Sequence, residues 1–257
     1  MKKEVQTGTL LYNDLLRYKA EQSRYFNAEL KVVNSKAEFY QVFTKISEDV
    51  AEGKYRPYIH FEIHGNTSGL VLNNNDLVTW AELYHLFLNI NILLKNQLYI
   101  SLATCYGGYL INAIDPLKKA PFFGFVGTLD KVSSFDLQVG FYEFFETLLS
   151  TNDLTLATNA LRTANPDLPV KYISIISEAI FKHLEKKLYM QFNNRILKLK
   201  RQKVLEKLAR ANPDIRKKYQ KKELRDHLRK IAAAQIKDIQ SFKDYFLHLR
   251  NEPVWGT

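Results

Sequence analysis

Cysteine is almost absent from this chain. Among 257 residues there is one, Cys105, which excludes an internal disulfide framework and any zinc site built on several cysteines. No apolar run approaches the roughly 18 residues of a membrane span. The opening Met1-Lys2-Lys3-Glu4 runs into polar residues with no apolar core behind it, which predicts no secretory leader. The compartment expected is the cytoplasm, with no membrane partner. A glycine-rich phosphate loop, a helix-turn-helix and a zinc finger are all missing, so nothing supports sequence-specific reading of nucleic acid. What remains is ordinary for a folded protein, 46% hydrophobic and 25% charged.

The net charge of +10 is unevenly placed. Residues 172–257 hold 21 Lys and Arg against 9 Asp and Glu, a net +12, which leaves the first 171 residues at −2. A near-neutral body followed by a basic third predicts two functional parts. Pro166 and Pro169 mark the boundary, giving a domain over 1–168 and a basic helical region over 169–257. Ala-Asn-Pro-Asp occurs at 164–167 and again at 211–214; with no repeat around it, it reads as recurring helix-end chemistry.

The first part alternates strand-like and helix-like segments. Glu29–Asn34 reads as a short strand. Ser35 and Glu38 have the spacing of a capping box, in which a hydroxyl and a carboxylate satisfy each other's free backbone N–H groups. The helix behind it presents Phe39, Val42, Phe43, Ile46 and Val50 on one side and stops at Gly53. Tyr58–His64 alternates as a half-buried strand. Gly69-Leu70-Val71-Leu72 suits a small hairpin, and a second box, Thr79 with Glu82, opens a helix to about Leu94. Gln97–Thr104 and Phe122–Thr128 are apolar throughout, the mark of strands covered on both faces. Helices are expected over 135–149 and 154–164. This order predicts an α/β fold, a three-layer α/β/α sandwich around a mainly parallel sheet. Beyond Pro169 the apolar spacing, from Ile173, Ile176, Ile180, Leu184 and Leu188 to Leu224, Leu228, Ile231, Ile236, Phe242, Phe246 and Leu249, reads as all-helical.

In parallel sheets functional groups gather beyond the C-terminal ends of the strands. Two such ends stand out here. One finishes in His64-Gly65, the other in Cys105 followed by Tyr106-Gly107-Gly108. A thiol, with a free pKa near ~8.5, needs a base or cation beside it to act as a nucleophile at neutral pH. A histidine in reach supplies the base and can later protonate a leaving amine. Glycine after each leaves room for a substrate carbonyl, and the N–H groups of Gly65 and Cys105 could form an oxyanion hole, a device worth roughly 3 kcal/mol per donor. Taken singly, a cysteine ending an apolar strand is a core residue and His-Gly is a turn. Their conjunction points to a catalytic dyad.

At these residues the chain resembles the caspase-like cysteine peptidases of clan CD, most closely the CHAT-domain branch. The resemblance runs from about Leu30 to Ala164 and rests on order: His64-Gly65, then Gly69-Leu70-Val71-Leu72, then Thr79 through Glu82-Leu83. It continues with Ala103-Thr104-Cys105-Tyr106-Gly107-Gly108, one residue longer before the cysteine than the family pattern, and with Val126-Gly127-Thr128. Phe141-Tyr142 and Ala160-Leu161-Arg162 complete it. The resemblance implies peptide-bond hydrolysis of a protein substrate, with Cys105 as nucleophile, His64 as general acid and base, and no metal or organic cofactor. Asp136 stands where relatives often carry an aspartate that reads a basic residue at the cut, although beside Ser133 and Ser134 it equally suits a helix N-terminus. Compact relatives serve bacterial antiviral defence as effectors released by an upstream signal.

Rival readings remain. His60, Glu62 and His64 share one strand face and imitate a metal site; as the alternatives, His60 and Glu62 are partners within the covered sheet or orienting groups behind the dyad. The basic runs at 198–203 and 216–222 suit nucleic acid, an activating nucleotide signal, a regulatory protein or acidic partner, or simply a solvated helix face. The alternative in a different class is a catalytically silent CHAT-like scaffold that works through those helices.

Overall fold

The structure, a computed structural model, describes residues 6–115, 118–166, 170–191, 203 and 243–249. The chain divides into two compact units, one of 1–115 with 120–176, the other of 116–119 with 177–257.

The first unit is α/β. Its four-stranded sheet has the order β1 (Tyr58–Glu62), β5 (Tyr99–Ala103), β6 (Gly124–Thr128) and β7 (Tyr172–Ile176). The first three are parallel and β7 is antiparallel. All of β5 and β6 is buried, as their unbroken apolar runs require, while β1 alternates. The alternation sends Phe61 toward Phe39 and Phe43 of α3 (Lys36–Ala51) and Phe87 of α4 (Trp80–Leu93). It sends Tyr58 and His60 to the other face, against Phe144, Phe145 and Phe141 of α5 (Ser134–Thr151). Helices therefore cover both faces. The N-terminal helical stretch, α1 (Thr7–Leu11), a π-helical turn (Tyr12–Leu16) and α2 (Arg17–Glu21), inserts Leu11 and Leu15 into the core shared by Ala103, Val126, Phe141 and Phe144. A second helix, α6 (Leu154–Thr163), follows α5 and buries Ala157 and Leu161 in the same core.

Three segments differ from their sequence readings. Glu29–Asn34 is extended but belongs to no ladder: Leu30 and Val32 are exposed, and the Asn34 N–H bonds the Glu38 carboxylate at 2.7 Å. Strand propensity needs a neighbour to pair with, and this segment has none among the described residues. Tyr58–His64 is not one strand. It bends at Ile63, and His64 begins β2 (His64–Asn66), which pairs antiparallel with β3 (Gly69–Val71) and through it with β4 (Leu77–Thr79). This three-stranded sheet forms because Leu70 and Val78 can be fully buried there. Finally, 172–176 is strand rather than helix: β-branched Ile173, Ile175 and Ile176 pair along the open edge of β6. The first unit consequently ends at Ile176, beyond the boundary read from the prolines.

The box read at Thr79 is complete, and the one at Ser35 is present by half, since Glu38 turns to the Asn34 N–H instead. Ser35 accepts the Glu38 N–H at 3.3 Å. Thr79 and Glu82 form the full reciprocal box, with Thr79 N–H donating to the Glu82 carboxylate at 2.8 Å and Glu82 N–H to Thr79 Oγ1 at 3.2 Å. The Lys36 ammonium, 2.6 Å from Glu82 Oε1, is the main reason the Glu82 carboxyl is held down at about 2, with the Thr79 N–H and hydroxyl and the Tyr40 hydroxyl adding to it against the opposing effect of burial. A carboxyl lowered by folding contributes stability that is present above its unfolded value, near 4.5, and lost as pH falls through the folded one. The urea midpoint is therefore expected to decline between about pH 4.5 and 2, and Glu82→Gln should flatten that part of the curve. An unchanged acid limb in the variant would remove Glu82 from the account.

In the second unit α7 (Ser177–Gln191) carries Phe181, fully buried against Phe246 with ring centroids 5.8 Å apart, while Leu249 is exposed. Lys243 Nζ lies 3.6 Å from Glu178, and Lys119 Nζ stands 5.6 Å over the Tyr245 ring. The helical positions Leu224, Leu228, Ile231, Ile236 and Phe242, and the basic runs apart from Lys203, lie outside the described residues. Among the described residues no helix is long and apolar enough to cross a membrane.

Candidate active site at two strand ends

The β1–β5 ladder pairs Tyr58 with Tyr99 and ends with Glu62 opposite Ala103, a constant offset of 41 residues. His64 and Cys105 have that same offset, and each stands two residues past the last pair. The parallel sheet thus delivers both ends to one edge. Direct contact follows at the next residue: a Cβ on Gly65 would overlap Thr104 Oγ1 and the Cys105 carbonyl oxygen. Only glycine lets the two backbones come so close, and His64 precedes that contact by one residue.

Cys105 is half-buried. Its Sγ donates to the Val132 carbonyl and accepts the Val132 N–H, each at 3.4 Å. Tyr106 then takes a left-handed conformation (φ 59°), uncommon for a residue with a side chain, and turns the chain from β5 into a 3₁₀ helix (Gly107–Ala113). Its N–H donates to the Asp130 carbonyl at 3.2 Å, and the Gly107 N–H to the Thr104 carbonyl at 3.3 Å. Thr128 Oγ1, from the Val-Gly-Thr segment, donates to that same Thr104 carbonyl at 2.6 Å. The residue before the cysteine is thereby fastened from two sides.

The glycines serve a different purpose from the one expected. A Cβ on Gly107 would stand 2.8 Å from Leu102 Cβ, and one on Gly108 2.7 Å from Ile173 Cγ2 and 2.8 Å from Leu129 Cδ2. A Cβ on Gly127 would lie 2.9 Å from the Gly107 carbonyl carbon. Their missing side chains are filled by protein. They let the 3₁₀ helix and β6 approach backbone to backbone, and do not open space for substrate.

His64 is exposed, paired with Val71 across the hairpin. Asp136 lies in the first turn of α5, four residues after the Val132 that holds Cys105. Both its oxygens are engaged, Oδ2 by the Ser133 hydroxyl at 2.6 Å and Oδ1 by Asn165 Nδ2 at 2.7 Å, and Ser133 caps its N–H. Asp136 thus takes part in the N-terminal cap of α5 through Oδ2 and is tied to Asn165 through Oδ1. Burial, with the Asp136 and Glu62 carboxylates behind it, pushes up the hydroxyl of Tyr172, whose oxygen is buried with no hydrogen-bond partner among the described residues.

His60 and Glu62 are partners within the sheet. His60 Nδ1 is hydrogen-bonded to Ser101 Oγ at 2.7 Å and Nε2 lies 3.3 Å from Glu62 Oε1, while the Thr7 hydroxyl donates to Glu62 Oε2. Among the described residues no group of three His, Cys, Asp or Glu is arranged to hold a metal ion. Sequence reasoning missed Val132, Thr128 and Thr7. The threonine of Val-Gly-Thr was a usable signal for Thr128. Val132 left none, because it acts through backbone atoms that every residue except proline shares. Comparison of the chain with protein-family models, with curated proteins and with solved structures found no match.

Proposed function

We propose that the chain is a caspase-like cysteine endopeptidase of the CHAT type, acting through Cys105 and His64. The observation that carries this reading is the shared 41-residue offset, which sets the chain's one cysteine and a histidine at neighbouring ends of a parallel ladder. In the reaction His64 takes the Cys105 thiol proton as sulfur bonds to the scissile carbonyl carbon. The N–H groups of Gly65 and Cys105 face the oxyanion, the C–N bond breaks, and His64 returns the proton to the leaving amine. Water then hydrolyses the thioester and restores the thiol. The Cys105 S–H donates to Val132 in the resting chain, so it must turn toward His64 before this can begin, a step suited to control by a signal. The substrate is a protein. The basic C-terminal region is the receiver for a nucleotide, nucleic acid or regulatory protein, in keeping with an effector of bacterial antiviral defence.

The test compares protein N-termini across the proteome in cells expressing wild type, Cys105→Ala or His64→Ala together with the neighbouring genes. New N-termini that need both residues are expected, and a basic residue before the cuts would give Asp136 a part in recognition. Identical N-termini in all three, with the neighbouring system demonstrably active, would sink the peptidase. Retention on heparin that falls steeply with salt would then favour the scaffold.

A further inference from the structure

The polar chain Thr7–Glu62–His60–Ser101 is not part of the chemistry described above, yet it is built with care. It lies on the α5 side of the sheet, where the His60 ring packs 4.9 Å from Phe141 and 5.0 Å from Phe145. Ser101 is fully buried, and the His60 and Glu62 side chains are only 12% and 10% exposed. Burying a histidine, a carboxylate and two hydroxyls is costly unless each finds a partner, and here they satisfy one another in series. A core of apolar residues would serve stability as well.

Its placement gives the reason. Glu62 is the last residue of β1, two before His64, and Ser101 is in β5, four before Cys105. The His60–Ser101 bond spans the two strands at the middle rung of their ladder, two pairs before its end, since His60 and Ser101 are register partners. The far end of the chain is anchored by α1: Thr7 bonds Glu62, and a Cβ on Gly8 would come within 2.8 Å of Glu62 Cβ, so the first helical turn is seated directly on that carboxylate side chain. Leu11 and Leu15 fix the same helix into the core beside Ala103. Beyond Glu62 the ladder is over and the backbone bends at Ile63. No further rung of the β1–β5 ladder holds His64 toward Cys105.

We propose that Thr7, Glu62, His60 and Ser101 form a positioning relay that sets the separation of His64 and Cys105, with the N-terminal helix as its anchor. This deepens the peptidase reading and rests on it. None of the four touches the reacting atoms; they act through the direction in which β1 releases the chain at Ile63.

Because Cys105 is the only cysteine, the separation can be read without activity. In the full chain carrying His64→Cys, mild oxidation should close a 64–105 disulfide, which requires Cα atoms within roughly 7 Å. Adding Thr7→Val or Ser101→Ala should slow closure by about tenfold or more, since orientation dominates such intramolecular rates, and Thr7→Ser should restore it. In the otherwise natural chain the same two substitutions should lower kcat with KM unchanged. Two different variants are used so that poor folding of one, seen as a collapsed melting transition, leaves the other to decide. Closure at equal rates in every background overturns the relay and leaves the dyad standing. No closure in His64→Cys alone removes the juxtaposition, and with it both the dyad and the relay.

Discussion

Cys105→Ser is expected to lower kcat/KM for peptide cleavage by about a thousandfold or more, with little change in melting temperature. The exchange keeps the side chain's shape and its ability to bond the Val132 N–H and carbonyl, the two contacts that hold it in place. What changes is chemistry. A hydroxyl surrenders its proton far less readily than a thiol, so the same histidine generates far less nucleophile from it. His64→Ala should cost a similar factor, and the double variant little more than either single one, because nucleophile and base act as a unit and their losses do not multiply. Steady-state cleavage of a peptide drawn from the mapped cut sites provides the measurement. If Cys105→Ser cleaves nearly as well as wild type, or if the two losses multiply, the dyad assignment is wrong.

Gly65→Ala should lower activity by about a hundredfold although it touches neither reacting side chain. Its methyl would overlap Thr104 Oγ1 and the Cys105 carbonyl oxygen. The carbonyl is backbone, so the strand ends themselves must part. A displacement on the order of 1 Å at a reacting pair costs about a hundredfold in rate, and overpacking of this kind destabilises by roughly 1–3 kcal/mol. Gly53→Ala is the control. Gly53 has φ +71° but nothing within 4 Å of a Cβ, so its cost is the left-handed conformation alone, roughly 1 kcal/mol, and activity should be unaffected. Cleavage rates and urea midpoints measured side by side separate the two effects. A Gly65→Ala enzyme as active as Gly53→Ala would mean that the approach of the two strand ends is not needed.

Much of this molecule is written locally. The reciprocal box of Thr79 and Glu82 and the cap at Ser35 are short-range hydrogen-bonding chemistry, legible because donor and acceptor lie three residues apart. The apolar runs of β5 and β6 are legible because a strand covered on both faces has no polar side to show. His64 and Cys105 could be singled out as the residues that close the alternating segment Tyr58–His64 and the apolar run Gln97–Thr104, each with glycine within two residues behind it. The offset of 41 between them was also present in the chain from the start, but it acquires meaning only once Tyr58 is known to pair with Tyr99.

What the tertiary structure alone decided is which segments meet. Val32 and Ile173 are both β-branched residues in short runs, yet 29–34 is left unpaired and 172–176 becomes the edge strand of the sheet, because only the second lies against β6. The bend at Ile63, which gives His64 to a hairpin, follows from the burial of Leu70 and Val78 elsewhere in the fold. The hold of Val132 on Cys105 and the closeness of Gly65 to Thr104 involve backbone atoms, which carry no residue identity. Side-chain period and capping determine the elements of this protein from its sequence; pairing and backbone contact, which depend on distant segments arriving together, determine its site.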